Sequence, residues 1–284
     1  MKPYFGVLII ACVLFSTNGR AEEYSPYSPA FILQPEQVES STSIGANWVN
    51  AQYSSSPTSS ASLKYAGVYA SQSIAIGLPN DYEVGAGIVY SDDVSKSPQT
   101  INVVTGWNNP AIYANKTWFS NTPTRVKLSL SAIPKTGGSG PREAPSTYGV
   151  GISGIYIGPN TLVTAMSLSQ YIADKNSSSY VSRDYASLGG NISKEVGPYL
   201  ISGSLGVIRF QSMIYQSWGY MQPSFSYTAG LGVSRALSEN IWAGIGYSFT
   251  RSQTTTNISF YQNTYQANST SLSNSLNASI RILF

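Results

Sequence analysis

The chain has 284 residues, and only 10% of them are charged, whereas roughly 25% are charged in ordinary soluble domains. It contains no histidine, and its one cysteine is Cys12, so the rest of the chain can form no disulfide and lacks the usual ligands of transition metals. Without histidine, Ser–His nucleophilic activation and histidine general-base chemistry are unavailable. The composition therefore argues against an enzyme and against a metal or other cofactor.

The amino-terminal stretch predicts a secretory signal peptide over residues 1–21. It has an early Lys2, an apolar run too short to span a bilayer, and the small residues Gly19 and Ala21 before the predicted cut. The sequence from Ile9 to Cys12 offers the alternative of a lipoprotein cleavage box. Removal of the predicted signal peptide would leave a mature chain with 14 basic and 13 acidic residues. This chain has no basic cluster that would bind nucleic acid.

Residues 22–40 follow the predicted cut and lie outside the alternating segments. They read EEYSPYSPAFILQPEQVES, which is rich in proline and tyrosine. The segment could remain a periplasmic tail, or it could fold up into the interior of the protein as a plug. The sequence leaves both alternatives open.

From residue 41 to residue 284, polar and apolar residues alternate in about 12 segments, each near the length of a membrane strand. The predicted strands cover 43–53, 62–77, 82–91, 102–118, 125–132, 147–157, 161–172, 184–195, 198–212, 223–235, 241–253 and 270–284. Short connections such as LPND and GPN alternate with longer ones, for example over 54–61 and 254–269. The pattern predicts an all-β fold, a single transmembrane antiparallel barrel with short periplasmic turns and longer outer loops.

Each predicted strand has one apolar face and one face of small polar residues. In 241–253, Ile245 and Tyr247 alternate with Gly246 and Ser248. A soluble β-sandwich would turn the polar face to water, but serine, glycine, threonine and asparagine with so few charges make a poor solvent face. We therefore predict that the apolar face meets lipid and the polar face lines a lumen.

Two of the predicted strands, 102–118 and 198–212, do not keep one alternating register. A change of register within a strand is typical of a β-bulge, which inserts one extra residue. We expect bulges near residues 107–110 and near Val207-Ile208.

The chain ends in NASIRILF, in which Phe284, Ile282 and Ile280 alternate with polar residues. The pattern predicts the strand that closes the barrel. Its terminal aromatic residue resembles the end of many bacterial outer-membrane proteins. That resemblance implies that Phe284 is an assembly signal for the barrel-assembly machinery, and that the chain lies in outer-membrane lipid of a Gram-negative bacterium.

The predicted lumen residues bear on conduction, because small barrels fill their interior with side chains and larger ones leave an aqueous pore. Trp242 is predicted to face inward, with Tyr65 and Tyr69, where the rings could form an aromatic or sugar track. The charges predicted to face inward are Glu83, Arg125, Lys127 and Arg281. These charges either pair across the lumen or bias the passage of ions.

Two segments, 71–93 and 106–119, resemble the phenol meta-pathway family of outer-membrane transporters, which is associated with the catabolism of aromatic compounds. The matching positions are Gly77, Leu78, Tyr82, Glu83, Gly106, Pro110, Lys116 and Trp118. Asn109 stands where that family commonly has aspartate. The resemblance implies a barrel that transports small molecules.

One short motif matches a nucleotide-binding pattern but lies inside a predicted strand. Residues 149–154, GVGISG, fit the G-x-G-x-x-G pattern of dinucleotide sites, but no helix follows them, so a phosphate site is not predicted.

Three functions are compatible with the sequence: a channel or transporter for passive passage of small solutes, a surface interaction protein that uses its outer loops, and an export pore for a secreted partner. The first is favoured because the small polar residues of the inner face leave space. The sequence does not name the solute.

Overall fold

The computed structural model describes residues 25–56, 59–96, 101–135, 146–174, 184–215, 219–260 and 263–284. The predicted signal peptide lies outside these residues. The described residues form one antiparallel sheet of 15 strands. The strands are β1 (Val38–Ser56), β2 (Ser59–Leu78), β3 (Tyr82–Lys96), β4 (Ile101–Trp107), β5 (Ala111–Trp118), β6 (Thr124–Ile133), β7 (Thr147–Ile157), β8 (Leu162–Ala173), β9 (Tyr185–Val196), β10 (Tyr199–Phe210), β11 (Met213–Tyr215), β12 (Gly219–Met221), β13 (Ser224–Ser238), β14 (Ile241–Phe260) and β15 (Asn263–Leu283). Within the described ranges, no helix is long and apolar enough to cross a membrane.

The sheet closes into a barrel of 12 wall strands, because β15 pairs with β14 on one side and with β1 on the other. Strands β4 and β5 both pair with β3 and together make one interrupted wall strand. The short β11 and β12 form a hairpin beside β14. Closure leaves no open strand edge in the membrane, where unpaired backbone groups would find no water to bond. The predicted all-β barrel is confirmed.

One end of the barrel carries both the short turns and the carboxyl terminus of the chain, and we call it the turn end. Here Val38 and Phe284 exchange backbone hydrogen bonds of 3.1 and 2.8 Å. Two turns contain consecutive residues with positive φ, Asn80-Asp81 and Asn160-Thr161, which is the backbone of a type I′ hairpin turn. Strand β1 begins at Val38, inside the predicted amino-terminal segment 22–40. The opposite end is the loop end.

The first of the two predicted bulges is present. Tyr90 pairs with Trp107, whereas Gly87 pairs with Ala111. Two residues of β3 therefore face the three residues 108–110. The extra residue interrupts the wall strand beside a proline, which has no amide hydrogen to give to the ladder.

The second predicted bulge, near Val207-Ile208, is wrong. Strand β10 keeps a single register with both β9 and β13 along its whole length. The apparent change of pattern arises because two apolar residues, Ile208 and Phe210, lie on the inner face. Phe210 packs there against the ring of Tyr185, so it belongs to the interior although it is apolar.

The wall is much taller on one side. Strands β1, β2, β14 and β15 contain 19, 20, 20 and 21 residues, whereas β5 to β10 contain between 8 and 12. A transmembrane strand needs about 9–11 residues, so the four long strands continue past the membrane at the loop end. We call these continuations the tall wall. They replace most of the loops predicted over 54–61 and 254–269.

The apolar residues of the alternating pattern lie on the outside of the barrel. Leu205, Leu231 and Ile245 expose 71%, 71% and 63% of their surface. Such exposure in mid-strand positions is typical of side chains that face lipid. The residues that alternate with these apolar residues along each strand point to the interior.

Candidate functional site

Short polar side chains make up most of the inner wall. Directly opposed residues form rows that cross β6 to β10 and β13. One such row is Lys127, Ser153, Ser167, Gly189, Gly206 and Thr228, and the next toward the loop end is Ser129, Gly151, Ser169, Ser187, Ile208 and Ser226. A cavity of about 470 Å³ lies along these rows, lined also by Pro29.

Residues 25–37 lie inside the turn end of the barrel. Ala30 is fully buried, and Phe31 and Leu33 are almost fully buried. They pack in two clusters that contain the wall residues Ala75, Ile155, Val163 and Leu283. Apolar side chains of this segment thus fill the interior at the turn end.

Gly77 on β2 pairs with this segment through its backbone. The amide of Glu36 donates to the carbonyl of Gly77, and the amide of Gly77 donates to the carbonyl of Gln37, both at 2.9 Å. A Cβ atom at Gly77 would overlap the carbonyl oxygens of Leu33 and Gln34. Glycine at this position permits the close approach of the two backbones.

Arg281 contacts the amino-terminal segment through two of its residues. Its Nη1 donates to the carbonyl of Pro26 at 2.6 Å, and its guanidinium lies 4.4 Å from the ring centroid of Tyr27. It also forms an ion pair of 3.4 Å with Glu39. The Tyr27 hydroxyl hydrogen-bonds Ser279 Oγ at 2.8 Å. Burial raises the pKa of the Tyr27 hydroxyl above its ordinary value.

The other three predicted inward charges have different surroundings. Arg125 donates a hydrogen bond to a carbonyl of the amino-terminal segment. Glu83 accepts a bond of 2.9 Å from the side chain of Asn115. Lys127 lines the 470 Å³ cavity and is attracted by Glu39 at longer range, but it has no hydrogen bond or ion pair with any described residue. The arginines therefore hold the segment, and Lys127 faces open space.

Three inward acids were not predicted: Glu39, Asp93 and Glu195. Glu39 pairs with Arg281, and Glu195 accepts a bond of 3.4 Å from the backbone amide of Ser25. Asp93 is nearly buried on β3. Glu39 and Asp93 lie outside the predicted strands 43–53 and 82–91. Extending the alternation beyond the predicted strand ends would have found both.

Three aromatic rings lie side by side on the inner wall near the loop end. Tyr171 stacks on Tyr185 with 4.5 Å between ring centroids, and Tyr185 lies 5.7 Å from Phe210. This aromatic row is four residues along the strands from the row of Lys127, or about 13 Å. Gly149 lies opposite Tyr171, and a Cβ there would come within 2.6 Å of the ring, so glycine lets the ring lie against the wall.

The aromatic residues that were predicted to face inward do not join this row. Trp242 lies opposite Arg281 at the turn end. Tyr69 lies over Gly45, and Tyr65 is paired with Val49 nearer the loop end. The aromatic row escaped prediction because its rings come from three strands, and their contact depends on the pairing register.

No protein-family model and no curated protein sequence matches the chain. Solved structures with a similar fold include the COG4313 outer-membrane channel from Pseudomonas putida F1, which is 10% identical and covers 92% of this chain and 100% of its own, with a TM-score of 0.62. A FadL homologue from Pseudomonas aeruginosa is 8% identical, with coverages of 87% and 90% and a TM-score of 0.49. The KdgM porin is 12% identical, with coverages of 81% and 97% and a TM-score of 0.43. At these identities the similarity shows the fold alone, and it rests on the first structure, whose TM-score is above 0.5.

The closed sheet with its apolar exterior is the architecture of bacterial outer-membrane barrels. The chain is therefore an outer-membrane β-barrel, and the predicted location in the outer membrane is confirmed. Membership of the phenol meta-pathway family stays a prediction, as does recognition of Phe284 by the barrel-assembly machinery.

Proposed function

We propose that the protein is a passive channel for small solutes, narrowed at the turn end by its own amino-terminal segment. The observation that supports this most is the cavity of about 470 Å³ between short polar side chains inside a closed barrel. The COG4313 outer-membrane channel, which has a similar fold, is a channel by name, and this agrees with the proposal. An enzyme is not proposed, since the chain has no histidine.

Residues 25–37 are the constriction of this channel. Two arginines, Arg125 and Arg281, donate to carbonyl groups of the segment, and Gly77 pairs with its backbone. All of these contacts are non-covalent, so the segment can be displaced while β1 stays in the wall. Conductance of the intact protein is then low and rises when the segment leaves.

Lys127 gives the open part of the lumen its ion preference. Of the four predicted inward charges, Arg125, Arg281 and Glu83 already have hydrogen-bond partners. Lys127 lines the cavity without one, and a fixed charge in a narrow pore attracts ions of opposite sign. The channel should therefore prefer anions slightly, including solutes with a carboxylate.

A finer proposal concerns the solute. The resemblance to the phenol meta-pathway family points to aromatic compounds, and the row of Tyr171, Tyr185 and Phe210 supports this. Aromatic rings attract other rings by stacking or edge contacts, and this row lies at the loop end, where a solute would enter.

A surface interaction protein is the second candidate, and the tall wall favours it. Strands β14 and β15 run to Phe260 and from Asn263, which extends the barrel beyond the membrane. This surface is rich in serine, threonine and asparagine, side chains that bind partners by hydrogen bonds.

Planar-bilayer recording of the intact protein and three variants tests the channel proposal. Removal of residues 22–36 should raise conductance several-fold over the intact protein. Lys127→Glu should move the reversal potential toward cation preference. Lys194→Glu is the matched control, because Lys194 lies at the turn end on the outer face. No conductance from any of the proteins, truncated form included, would exclude the channel and leave the surface interaction protein.

A further inference from the structure

A row of outward-facing cations crosses the tall wall. Arg251, Leu272, Asn50, Lys64 and Lys96 are directly opposed, in this order, on β14, β15, β1, β2 and β3. Lys64, Lys96 and Arg251 are all exposed. They share the outer face with Leu272, and we call the three cations the basic row.

The basic row borders the apolar exterior of the barrel. The next outward row toward the turn end contains Trp48, Val94 and Val103, which expose 40%, 41% and 62% of their surface. Two residues along a strand span about 7 Å. On β3 the next outward residue toward the turn end after Val94 is the acidic Asp92, opposite Thr105. The basic row therefore lies at the level of the lipid headgroups, beyond the edge of the hydrocarbon core. Short turns face the periplasm in outer-membrane barrels, so this border belongs to the outer leaflet.

Lys64 and Lys96 have no neutralising partner in the described part of the chain. Neither makes a hydrogen bond or an ion pair with a described residue. Asp92, an acid on the same face of β3, accepts a bond of 2.9 Å from Thr105. Like charges at directly opposed positions of two strands repel, with Cβ atoms about 5 Å apart. The pair is therefore destabilising unless an external anion lies between the two ammonium groups.

Two cations on the outer face of the turn end have partners within the protein. Lys116 donates to the carbonyl of Asn80 and lies 4.5 Å from the ring centroid of Tyr82. Arg235 lies 5.4 Å from the ring centroid of Tyr199. Lys194, a third cation on that outer face, has no partner among the described residues, so what sets the basic row apart is the direct opposition of Lys64 and Lys96.

We propose that Lys64 and Lys96 bind a phosphate group on the headgroup of an outer-leaflet glycolipid. Each ammonium group has three N–H donors for phosphate oxygens. Arg251 is three strands away, or about 14 Å, and contacts a second anionic group of the same headgroup. The apolar side chains directly below the row, including Trp48 and Val94, favour a lipid over a free anion, because the acyl chains of the same molecule would cover them.

Titration of the full-length protein in mild detergent, followed by native mass spectrometry, tests this assignment. The probes are bisphosphorylated lipid A, the same lipid without its phosphates, and inorganic phosphate. The phosphorylated lipid should bind best, and Lys64→Gln with Lys96→Gln should weaken its binding about 30-fold, from the usual contribution of two basic residues at an anionic membrane surface.

Two further variants make the result specific. Lys64→Arg with Lys96→Arg keeps both charges and should bind the phosphorylated lipid as the natural protein does. Lys194→Gln removes a cation from the outer face of the turn end and should change nothing. Equal binding by the double glutamine variant, equal binding of the dephosphorylated lipid, or equally tight binding of inorganic phosphate would each overturn the proposal.

Discussion

The turn end and the loop end of the barrel are built from the same strands but differ in what fills and surrounds them. At the turn end all 12 wall strands are present, the outer face is apolar, and residues 25–37 fill the interior. At the loop end only part of the wall continues, its outer face becomes polar, and the interior is lined by short side chains and the aromatic row. Alternation of polar and apolar residues therefore indicates a strand only where the two faces of the strand meet different surroundings.

The outer face of β14 shows the same change along a single strand. Ile245 and Phe249 are apolar and exposed, and they are followed on the same face by Arg251, Gln253 and Thr255. The change marks the edge of the membrane. Beyond it both faces of the strand meet water, so no alternation is required.

The largest effect is expected from placing a charge at the two depths of β14. Ile245→Arg puts a charge near the middle of the apolar exterior and should lower the free energy of unfolding by about 2–4 kcal/mol. Gln253→Arg, eight residues further on the same face, should change it by less than about 0.5 kcal/mol, as is usual for surface substitutions. Urea titration in lipid vesicles measures both. Similar losses for the two variants would show that the membrane edge is misplaced.

An intermediate effect is expected where the backbone of residues 25–37 meets the wall. Gly77→Ala forces a Cβ against the carbonyl oxygens of Leu33 and Gln34 and should cost about 1–3 kcal/mol, as overpacking usually does. It should also expose the segment to protease. Gly151→Ala is the control, because its Cβ would meet Ser169 Oγ at 2.6 Å, and that side chain can rotate away. If residues 25–37 stay protected from protease in Gly77→Ala, the close contact of this segment with Gly77 is contradicted.

The smallest effect concerns the aromatic row at the loop end. A double-mutant cycle with Tyr171→Ala and Tyr185→Ala should give a coupling energy of about 0.5–1.5 kcal/mol, the usual value for an aromatic pair. The same cycle between Tyr171 and Trp242 should give a value near zero, because Trp242 lies at the turn end. Measured in urea, an equal coupling for both pairs would mean that the stacked rings do not interact directly.

Within the membrane the sequence predicted the strands closely. Strand 147–157 was predicted with the bounds that the structure shows, and the interruption near residues 107–110 was predicted as a bulge. Prediction was weakest in the tall wall, where 254–269 was taken as a loop. Serine, threonine and asparagine on both faces there give no period, although the backbone continues to pair.

The candidate site was predicted only in part. Arg125, Lys127 and Arg281 were predicted because alternation places them on the inner face, and their role in conduction stays a prediction. In the structure the two arginines contact residues 25–37, and Lys127 lines the cavity. Their separate surroundings could not be predicted, since two of them meet a segment whose position the sequence left open. Glu39 was missed because it lies before the predicted start of the first strand at residue 43, yet it is the partner of Arg281.

The sequence by itself determined the closed barrel and the assignment of its faces. Local alternation is sufficient for this, because a spanning strand must put apolar residues on the lipid side and pair every backbone group. Only the tertiary structure decided what lies inside. Three features join residues from different parts of the chain: the position of residues 25–37 inside the barrel, the stacking of Tyr171 on Tyr185, and the opposition of Lys64 to Lys96. Their contacts depend on strand register and closure, which no single segment encodes.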